Sequence, residues 1–518
     1  MHKHTVMASQ PSERTIGLSK HTLSICDERI EHMGSLTNDC FAPRVARFLN
    51  PIAKSLTEAV DPMFKPTEHS NPLFKGWNRT LNKWAEWVDQ MAGKYSSLWV
   101  NSGISDSIMS SIYEVTCNHD LIPALLQFWS PKTNTFVFPW GEATVTLEDV
   151  TILGGYSVIG DSVDDVALMA DSGKKVEEMN RFRSDLVMSK SKKASHSKWI
   201  QMFMSKQNGH EHEHEHIAFL SLWLSRFVFP SLDRDSIGKH VFPIAVKLSQ
   251  GVKLALAPAI LASIYHNLRI FKEQSLDSSN YCINLSGPFQ LVQIWAYERF
   301  PIIGPKPPNE LCAGEPRLAR WHTLNSNVCL TLLHSHLINP ENFIWRPYVV
   351  DVKNWVHPSY YHDSREIVSD FMNLDDELQS FVRVLQPCEL NGLNCKANYL
   401  PHRVAMQFGF DQDIPGDLSS YNLSKFVRLF VPSRSFLGGV SLRYYDWWKN
   451  LDRKDGRNFD LDLEEGFNDV FMSLKSICNT TKRKIDFLKG PFVGESQSKK
   501  RRLASEVGSG RNEVIQID

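Results

Sequence analysis

Hydrophobic positions recur at helical spacing along most of the chain. Between Leu73 and Met91, tryptophans and other apolar residues lie three or four positions apart, which is typical of a helix with one buried face. The run Ile217–Phe229 is apolar nearly all round and predicts a core helix that ends at Pro230. The same helical period covers 41–61, 254–271 and 286–300. This pattern predicts a mainly α protein built around one large helical domain.

One short stretch departs from the helical period. Phe136 and Phe138 precede a tight reversal at 139–142, and Val145 and Leu147 follow it in alternation. This pattern predicts a small β-hairpin around residues 135–147, with a tryptophan at its turn.

A short helix is expected directly after this hairpin. Thr146 and Asp149 have the spacing of a capping box, in which a hydroxyl and a carboxylate satisfy two backbone amides. Gly154 and Gly155 are expected to end the helix, because glycine accepts the left-handed conformation found at helix ends.

The stretch FVFPWGEATVTLEDVTILGG resembles the signature of the plant mobile domain family. Further segments similar to the family follow its order between about Trp99 and Trp448: 121–129, 227–233, 256–268, 291–301 and 399–415. In the last segment, Met406 replaces a common arginine, and this change would remove one positive charge from a binding surface there. The signature residues are Phe136, Phe138, Pro139, Trp140, Gly141, Glu142, Thr146, Leu147 and Asp149.

The resemblance implies a role in meristem maintenance, with silencing of transposable elements and control of gene expression. The leading interpretation of the whole chain is a nuclear, non-enzymatic interaction scaffold without a cofactor. Its expected partners are nuclear proteins, among them phosphatase-related or chromatin proteins. The expected organisation is a flexible segment at 1–40, a helical extension at 41–98, the plant mobile domain at 99–450 and a largely disordered tail at 451–518.

Composition excludes a strong overall attraction to nucleic acid. The 57 basic and 58 acidic residues nearly cancel, so any affinity for nucleic acid would be local. Nine cysteines without a C-x-x-C pair favour free thiols in a reducing compartment. The absence of a signal peptide and of a long apolar run predicts a soluble intracellular protein without membrane contact.

A tract of alternating histidine and glutamate is the most conspicuous low-complexity feature. In a helix, its histidines would lie in pairs one turn apart and would suit a transition metal; in an extended chain they would share one face. The interleaved glutamates favour an exposed structural tract instead. The candidate metal ligands are His210, His212, His214 and His216.

Two basic regions are candidate contacts for partners. The first is a serine-rich run that would contact phosphate backbones or form a solvated loop: Lys190, Lys192, Lys193 and Lys198. The second is a pair of tail clusters that resemble a bipartite nuclear-localisation signal, read by a nuclear import receptor. The residues of that signal are Lys482, Arg483, Lys484, Lys499, Lys500, Arg501 and Arg502.

The chain lacks the common nucleotide-binding and serine-nucleophile motifs. It has no G-x-x-x-x-G-K-[ST] or G-x-G-x-x-G loop and no G-x-S-x-G elbow. The spacing H-E-x-x-H occurs only within the alternating histidine and glutamate tract, which is interpreted as structural. Relatives of the family are often labelled aminotransferase-like, yet no lysine, acidic partner and phosphate cup of a pyridoxal enzyme can be assigned here. The chain is therefore expected not to be an enzyme. The alternatives are a transposon-derived nucleic-acid-binding protein and a residual hydrolase or nuclease.

Overall fold

Helices outweigh strands in the computed structural model, as the hydrophobic period predicts. The structure describes residues 22–454 except 64, 66–71, 78, 169–172, 189–191, 205–211, 232, 234, 277–281, 327, 362–363 and 419–424. The α-helices are α1 (Trp84–Asn101), α2 (Ser105–Ser110), α3 (Leu121–Gln127), α4 (Leu147–Gly154), α5 (Val163–Leu168), α6 (Lys174–Met188), α7 (His196–Phe203), α8 (Glu215–Trp223), α9 (Phe242–Ser249), α10 (Leu256–Ser275), α11 (Gln290–Arg299), α12 (Leu330–Ile338), α13 (Asp376–Val384) and α14 (Leu442–Lys454).

The strands are short and form several small sheets. Three of these have three strands each, in the orders β1-β14-β11, β15-β2-β3 and β5-β6-β7. The strands are β1 (Thr22–Ser24), β2 (Cys26–Ser35), β3 (Asn38–Leu49), β4 (Pro72–Phe74), β5 (Trp129–Ser130), β6 (Thr135–Phe138), β7 (Gly141–Ala143), β8 (Asp161–Ser162), β9 (Leu254–Ala255), β10 (Ile283–Leu285), β11 (Arg365–Asp370), β12 (Cys388–Gly392), β13 (Cys395–Tyr399), β14 (Phe426–Val431) and β15 (Val440–Ser441).

The core is built from helices that are buried on most of their surface. Every residue of α8 is buried, and the helix continues into a buried π-turn at Leu224–Val228, close to the core helix predicted before Pro230. In α10, Pro258 lies in the first turn, where its missing amide removes no helical hydrogen bond. The tryptophans of α1 are packing residues: Trp84, Trp87 and Trp99 are buried.

The N-terminal region differs from the prediction. Residues 22–40 contribute β1 and most of the β2–β3 hairpin rather than a flexible segment, and the helix expected over 41–61 is replaced by β3 and irregular structure. In β3, Ala46 and Phe48 are buried, whereas Val45 is exposed and Arg47 is half-buried, which is the alternation of a strand. The spacing of the apolar residues Val45, Phe48, Leu49 and Ile52 is compatible with a helix as well as with a strand. Pairing with β2 selects the strand.

Residues Met1–Leu451 group into one compact unit and Asp452–Asp518 into a second. The predicted tail lies almost wholly outside the described residues, so its predicted disorder is not addressed by the structure. No described helix combines the length and the apolar character needed to cross a membrane.

Candidate functional site

The family-like signature forms the predicted hairpin, and it lies inside the protein. Strand β6 pairs antiparallel with β7, and β5 extends the pair to three strands. Trp140 occupies the turn, as predicted, and its indole Nε1 donates a hydrogen bond to the Leu337 carbonyl at 2.9 Å. Its ring stacks on Phe138, with ring centroids 4.7 Å apart. The hairpin is therefore an internal packing element, with its aromatic residues directed into the core.

The signature carboxylate of Glu142 is held by an arginine from the far end of the domain. Glu142 and Arg403 form a bidentate pair with N–O distances of 2.6 and 2.9 Å, and both side chains are 1% exposed. Thr135 donates a further hydrogen bond to the same carboxylate at 2.5 Å. Two charges buried this deeply are tolerated only when they satisfy each other. The pair thus joins the hairpin to the segment Pro401–Phe408.

The predicted capping box at the start of α4 is present. The Thr146 hydroxyl accepts from the Asp149 amide, and the Asp149 carboxylate accepts from the Thr146 amide at 2.7 Å. The helix ends at Gly154, and Gly155 takes the left-handed conformation with φ of 71°. An added Cβ at Gly155 would lie 2.6 Å from the backbone of Asp106, so glycine is required there for close packing as well.

Asp149 has a second role beyond the cap. Its other carboxylate oxygen accepts hydrogen bonds from Arg299 at 2.9 Å and from the Tyr348 hydroxyl at 2.6 Å. The Arg299 and Asp149 side chains are both 0% exposed. This one signature residue therefore links α4 to the end of α11 and to the turn at Pro347–Val349.

Glu298, next to Arg299 at the end of α11, is another buried acid that is paired with arginines. Glu298 accepts hydrogen bonds from Arg317 at 2.8 Å, from Arg320 at 3.0 Å and from the indole of Trp321 at 3.0 Å. These arginines hold the pKa of Glu298 below its usual value although burial alone would raise it. The segment Arg317–Trp321 is thereby fixed to the core.

Glu148 is the most perturbed carboxyl in this region. Burial raises its pKa to about 8, and the neighbouring charge of Asp149 acts in the same direction. One oxygen accepts hydrogen bonds from the hydroxyls of Tyr361 and Tyr360, whereas the other has no hydrogen-bond partner among the described residues. Burial also lowers the pKa of nearby Arg346 to about 10. A perturbed carboxyl can mark a catalytic site; here it is 1% exposed, and no substrate reaches it in this conformation.

The described histidines of the His-Glu tract have different surroundings. His216 is buried, stacks on Tyr95 with ring centroids 3.8 Å apart, and bonds through Nε2 to the indole of Trp99 at 3.0 Å. Burial lowers the pKa of His216 to about 4. Its ring therefore acts as a neutral core side chain, with one nitrogen already occupied.

The remaining histidines are not arranged as a set of metal ligands. His214 lies 3.0 Å from Glu178, and His212 packs on Phe203, while His210 lies outside the described residues. Among the residues that the structure describes, no three or more His, Cys, Asp or Glu side chains are grouped to hold a metal ion. The prediction that this tract is exposed is wrong for its described end, because His214, Glu215 and His216 are buried where α8 begins.

The predicted basic contacts are only partly visible. Lys193 pairs with Asp233 at 2.9 Å, Lys192 is exposed and Lys198 is half-buried in α7. Lys190 and all seven basic residues of the predicted localisation signal lie outside the described part of the chain. These proposed contacts therefore stay predictions.

The interpretation of Met406 needs correction. Its side chain is buried and packs in a cluster with Val440, Tyr444 and Trp448. A charge at this position would lie inside the protein, so the replacement of arginine by methionine leaves the binding surface unchanged.

An apolar groove lies on the surface beside the Glu298 pair. It has a volume of about 490 Å³, and five prolines contribute to its walls together with Trp321, Ile344 and Val350. Ile344 and Val350 are exposed, and the Arg320 side chain is 17% exposed. This groove, called here the Pro/Trp groove, thus offers apolar surface with a basic edge.

Sequence analysis named two of the acids in these pairs, Glu142 and Asp149, and did not predict their pairing with arginines. Arg299, Arg317 and Arg403 lie far from the signature in sequence, and all three are buried. Arg299 follows an apolar segment and Arg403 interrupts one, and a charged residue in such a place is buried only when it is paired. That pattern was the available signal, but it does not say which carboxylate is the partner.

Two further carboxylates of the closing segment were missed. Asp411 accepts from Arg44 at 2.6 Å, and Asp413 accepts from Arg443 at 2.7 Å and from Arg29. Both carboxylates are almost completely buried. They join the N-terminal strands and α14 to the domain.

A mainly helical domain organised around a buried signature hairpin defines the class of this protein. Residues 103–449 match the plant mobile domain, and the chain belongs to that family. No solved structure matches the chain.

Three relatives from Arabidopsis thaliana are similar over part of their length. Protein MAIN-LIKE 2 is 24% identical over 67% of this chain and 50% of its own, and Protein MAINTENANCE OF MERISTEMS is 23% identical over 59% of this chain and 60% of its own. A serine/threonine-protein phosphatase 7 long form homolog is 24% identical over 46% of this chain and 19% of its own. The chain thus spans less than two thirds of each of these relatives.

Proposed function

We propose that this chain is a non-enzymatic interaction scaffold that acts in the nucleus of plant cells. The name of one relative, MAINTENANCE OF MERISTEMS, supports a role in meristem maintenance. In this proposal, the chain also contributes to silencing of transposable elements and to control of gene expression. Its partners are chromatin or phosphatase-related proteins, and the basic tail is bound by a nuclear import receptor.

The observation that carries this proposal is the use made of the signature carboxylates. Glu142 and Asp149, the acids in the family-like motif, are both buried and bound to arginines. A catalytic acid or base must reach the reacting atoms of a substrate. These carboxylates instead connect distant parts of the fold, which favours a domain whose signature maintains a binding platform.

The Pro/Trp groove is the proposed docking surface on that platform. Its apolar wall suits an apolar side chain, and its exposed cation Lys306 suits a nearby carboxylate, whereas Arg320 is already paired with Glu298. Asp351 at the edge is already paired with Arg434 at 2.8 Å. The occupant is therefore an extended peptide segment of a partner protein that carries apolar and acidic residues.

The test is affinity purification of the tagged full-length chain from dividing plant tissue, with nuclease treatment and mass spectrometry. Wild-type protein is expected to retain a set of nuclear proteins after nuclease treatment. Val350→Glu, which places a charge on the groove wall, is expected to lose most of that set.

The matched control is Val356→Glu, because Val356 is 85% exposed and does not line the groove. This variant is expected to recover the same proteins as wild type. If every recovered protein is lost with the nucleic acid, the scaffold proposal is wrong and the transposon-derived nucleic-acid binder replaces it. If Val350→Glu and Val356→Glu behave alike, the groove is not the docking surface.

A further inference from the structure

A second surface pocket lies at the opposite end of the signature hairpin from Trp140. It has a volume of about 170 Å³ and is bordered by the β5–β6 turn, by α10 and by the β12–β13 hairpin. Its polar lining includes Lys132, Asn134, His266, Arg269 and Lys396. This cavity, called here the basic pocket, shares no lining residue with the Pro/Trp groove.

The walls of the basic pocket are held by regular structure and by a direct tie between them. Asn134 has a φ of 53°, in the left-handed region, and its side-chain amide donates to the Asn398 carbonyl at 3.0 Å. This bond fixes the turn that carries Lys132 against β13. Arg269 lies on α10, which packs on both strands of the β12–β13 hairpin. Because rigid elements present its charged groups, the pocket is pre-organised for a ligand.

Two of the three cations in the pocket have no acidic partner. Lys396 pairs with Glu389 at 2.6 Å, whereas Arg269 and Lys132 form no ion pair with any carboxylate of the described residues. Arg269 Nη2 instead bonds to His266 Nδ1 at 3.1 Å. Burial and the nearby guanidinium lower the pKa of His266, so its ring is neutral near pH 7. The pocket therefore has an uncompensated positive charge from Arg269 and Lys132.

This charge pattern selects a compact dianion. A guanidinium presents parallel N–H donors that match two oxygens of a phosphate, and an ammonium adds a point charge from any direction. Other binding modules recognise phosphorylated motifs with clustered arginines; in the basic pocket, Arg269 and Lys132 together provide the positive charge.

The surroundings of the pocket argue against a polyanion. Glu389 lines the pocket. Two further carboxylates lie near enough for electrostatic interaction with its lining, Asp164 with Lys396 and Glu273 with His266. A nucleic-acid backbone would bring further phosphates towards these carboxylates. A single phosphate on a neutral or basic segment would avoid that repulsion.

We propose that the basic pocket binds a phosphorylated serine or threonine side chain of a partner protein, with Arg269 and Lys132 as the phosphate ligands. Neutral or basic residues flank the phosphorylated residue in that partner. This inference goes beyond the scaffold role, and a partner docked in the Pro/Trp groove is independent of it.

The test uses the full-length protein and a fluorescein-labelled peptide library with a central phosphoserine and randomised neutral and basic flanks. Fluorescence polarisation is expected to show binding of the phosphorylated library and not of its unphosphorylated copy. Arg269→Gln and Lys132→Gln are each expected to weaken binding by roughly tenfold, the effect of losing one charge-assisted hydrogen bond. Phosphoserine and inorganic phosphate are expected to displace the peptide.

Matched controls remove the same charges elsewhere. Arg181→Gln on α6 and Lys247→Gln on α9 change exposed residues that do not line the pocket, and binding is expected to stay within about twofold of wild type. Thermal melting by circular dichroism checks that all four variants fold.

Three results would overturn the proposal. The first is equal binding of the phosphorylated and unphosphorylated libraries. The second is wild-type affinity of folded Arg269→Gln for the phosphorylated library, or an equal loss in the control variants. The third is that the phosphorylated library does not bind, whereas a single-stranded RNA oligonucleotide binds and Arg269→Gln weakens its binding. This outcome would assign the pocket to nucleic acid.

Discussion

Single buried carboxyl groups in this protein differ in protonation because their partners differ. Glu298 faces two arginines and a tryptophan indole, and its pKa is lowered. Burial and the neighbouring carboxylate of Asp149 raise the pKa of Glu148 to about 8, although its hydrogen bond from Tyr360 acts in the opposite direction. The two acids are equally buried, so the nearest charges and hydrogen bonds decide the direction.

The raised pKa of Glu148 predicts a stability that falls with rising pH. The folded protein keeps this carboxyl protonated near pH 7, whereas the unfolded chain ionises it near its ordinary pKa of 4.5. The folded state binds more protons over this window, so the stabilisation present at acidic pH is lost as the pH rises towards 8. Glu148→Gln should reduce the loss between about pH 6 and about pH 8 by on the order of 2 kcal/mol.

Urea unfolding at the two pH values measures this difference. Glu86→Gln is the control, because Glu86 is an exposed acid in the first turn of α1. It should keep the pH dependence of the wild-type protein. An unchanged slope in Glu148→Gln would show that this carboxyl is ionised in the folded protein.

An ion pair joins the N-terminal β2–β3 hairpin to the segment around Asp411 near the C-terminal end of the domain. Asp411, from the closing segment, is bound by the Arg44 side chain and by the backbone amides of Arg47 and Gly439. The N-terminal β2–β3 hairpin is therefore part of the folded body and pairs with β15 at its other edge.

Arg44→Gln should destabilise the domain through this contact. The substitution leaves Asp411, whose side chain is 0% exposed, without its cation, and we expect a loss of about 1.5–3 kcal/mol in the free energy of unfolding. Arg47→Gln breaks the exposed pair with Glu28 and the contact of the guanidinium with the Phe430 ring, and should cost about 1 kcal/mol, less than Arg44→Gln. Equal costs for the two variants would contradict the role assigned to Asp411.

The elements differ in how far sequence predicts them. The hairpin turn at Trp140, the capping box of α4 and its glycine end follow from residues within a few positions of each other, and all are confirmed. The β2–β3 hairpin depends instead on pairing with β15 and on Asp411, hundreds of residues away. Local period cannot distinguish strand from helix in such a segment, because the tertiary contact decides.

The candidate site shows the same limit. The acids of the signature were predicted, and their positions in the hairpin and in the cap are correct. Their partners Arg299 and Arg403 were not, because one sequence carries no record of which buried charges meet. The basic pocket was also beyond prediction, because its walls come from segments more than a hundred residues apart, such as those of Lys132 and Arg269.

At the scale of the whole molecule, nuclear import is predicted to depend on the tail. Replacing the four basic residues at 499–502 with alanine should move a fluorescent fusion of the full chain from the nucleus to the cytoplasm, because the import receptor binds them through acidic groups. Replacing Lys192 and Lys193 with alanine serves as the control and should leave the fusion nuclear. Retention of the tail variant in the nucleus would contradict the predicted signal.

The Glu142–Arg403 pair connects the signature to the whole domain, and a double-mutant cycle measures that connection. Either Glu142→Gln or Arg403→Met alone leaves a buried charge without its partner and should cost about 3–5 kcal/mol. The double variant removes both charges and should lose clearly less than the sum of the single losses. Additive losses in urea unfolding would mean that the pair is not coupled.

The most direct test of the account is partner recovery by this folded double variant, Glu142→Gln with Arg403→Met. If Glu142 is structural, affinity purification with the double variant should recover the same nuclease-resistant partners as with wild type. The two proteins are compared at equal amounts of folded protein. If Glu142 takes part in chemistry or contacts a ligand directly, a folded double variant will lose that function although its stability is restored. The first result supports a scaffold organised by buried charge pairs, and the second contradicts it.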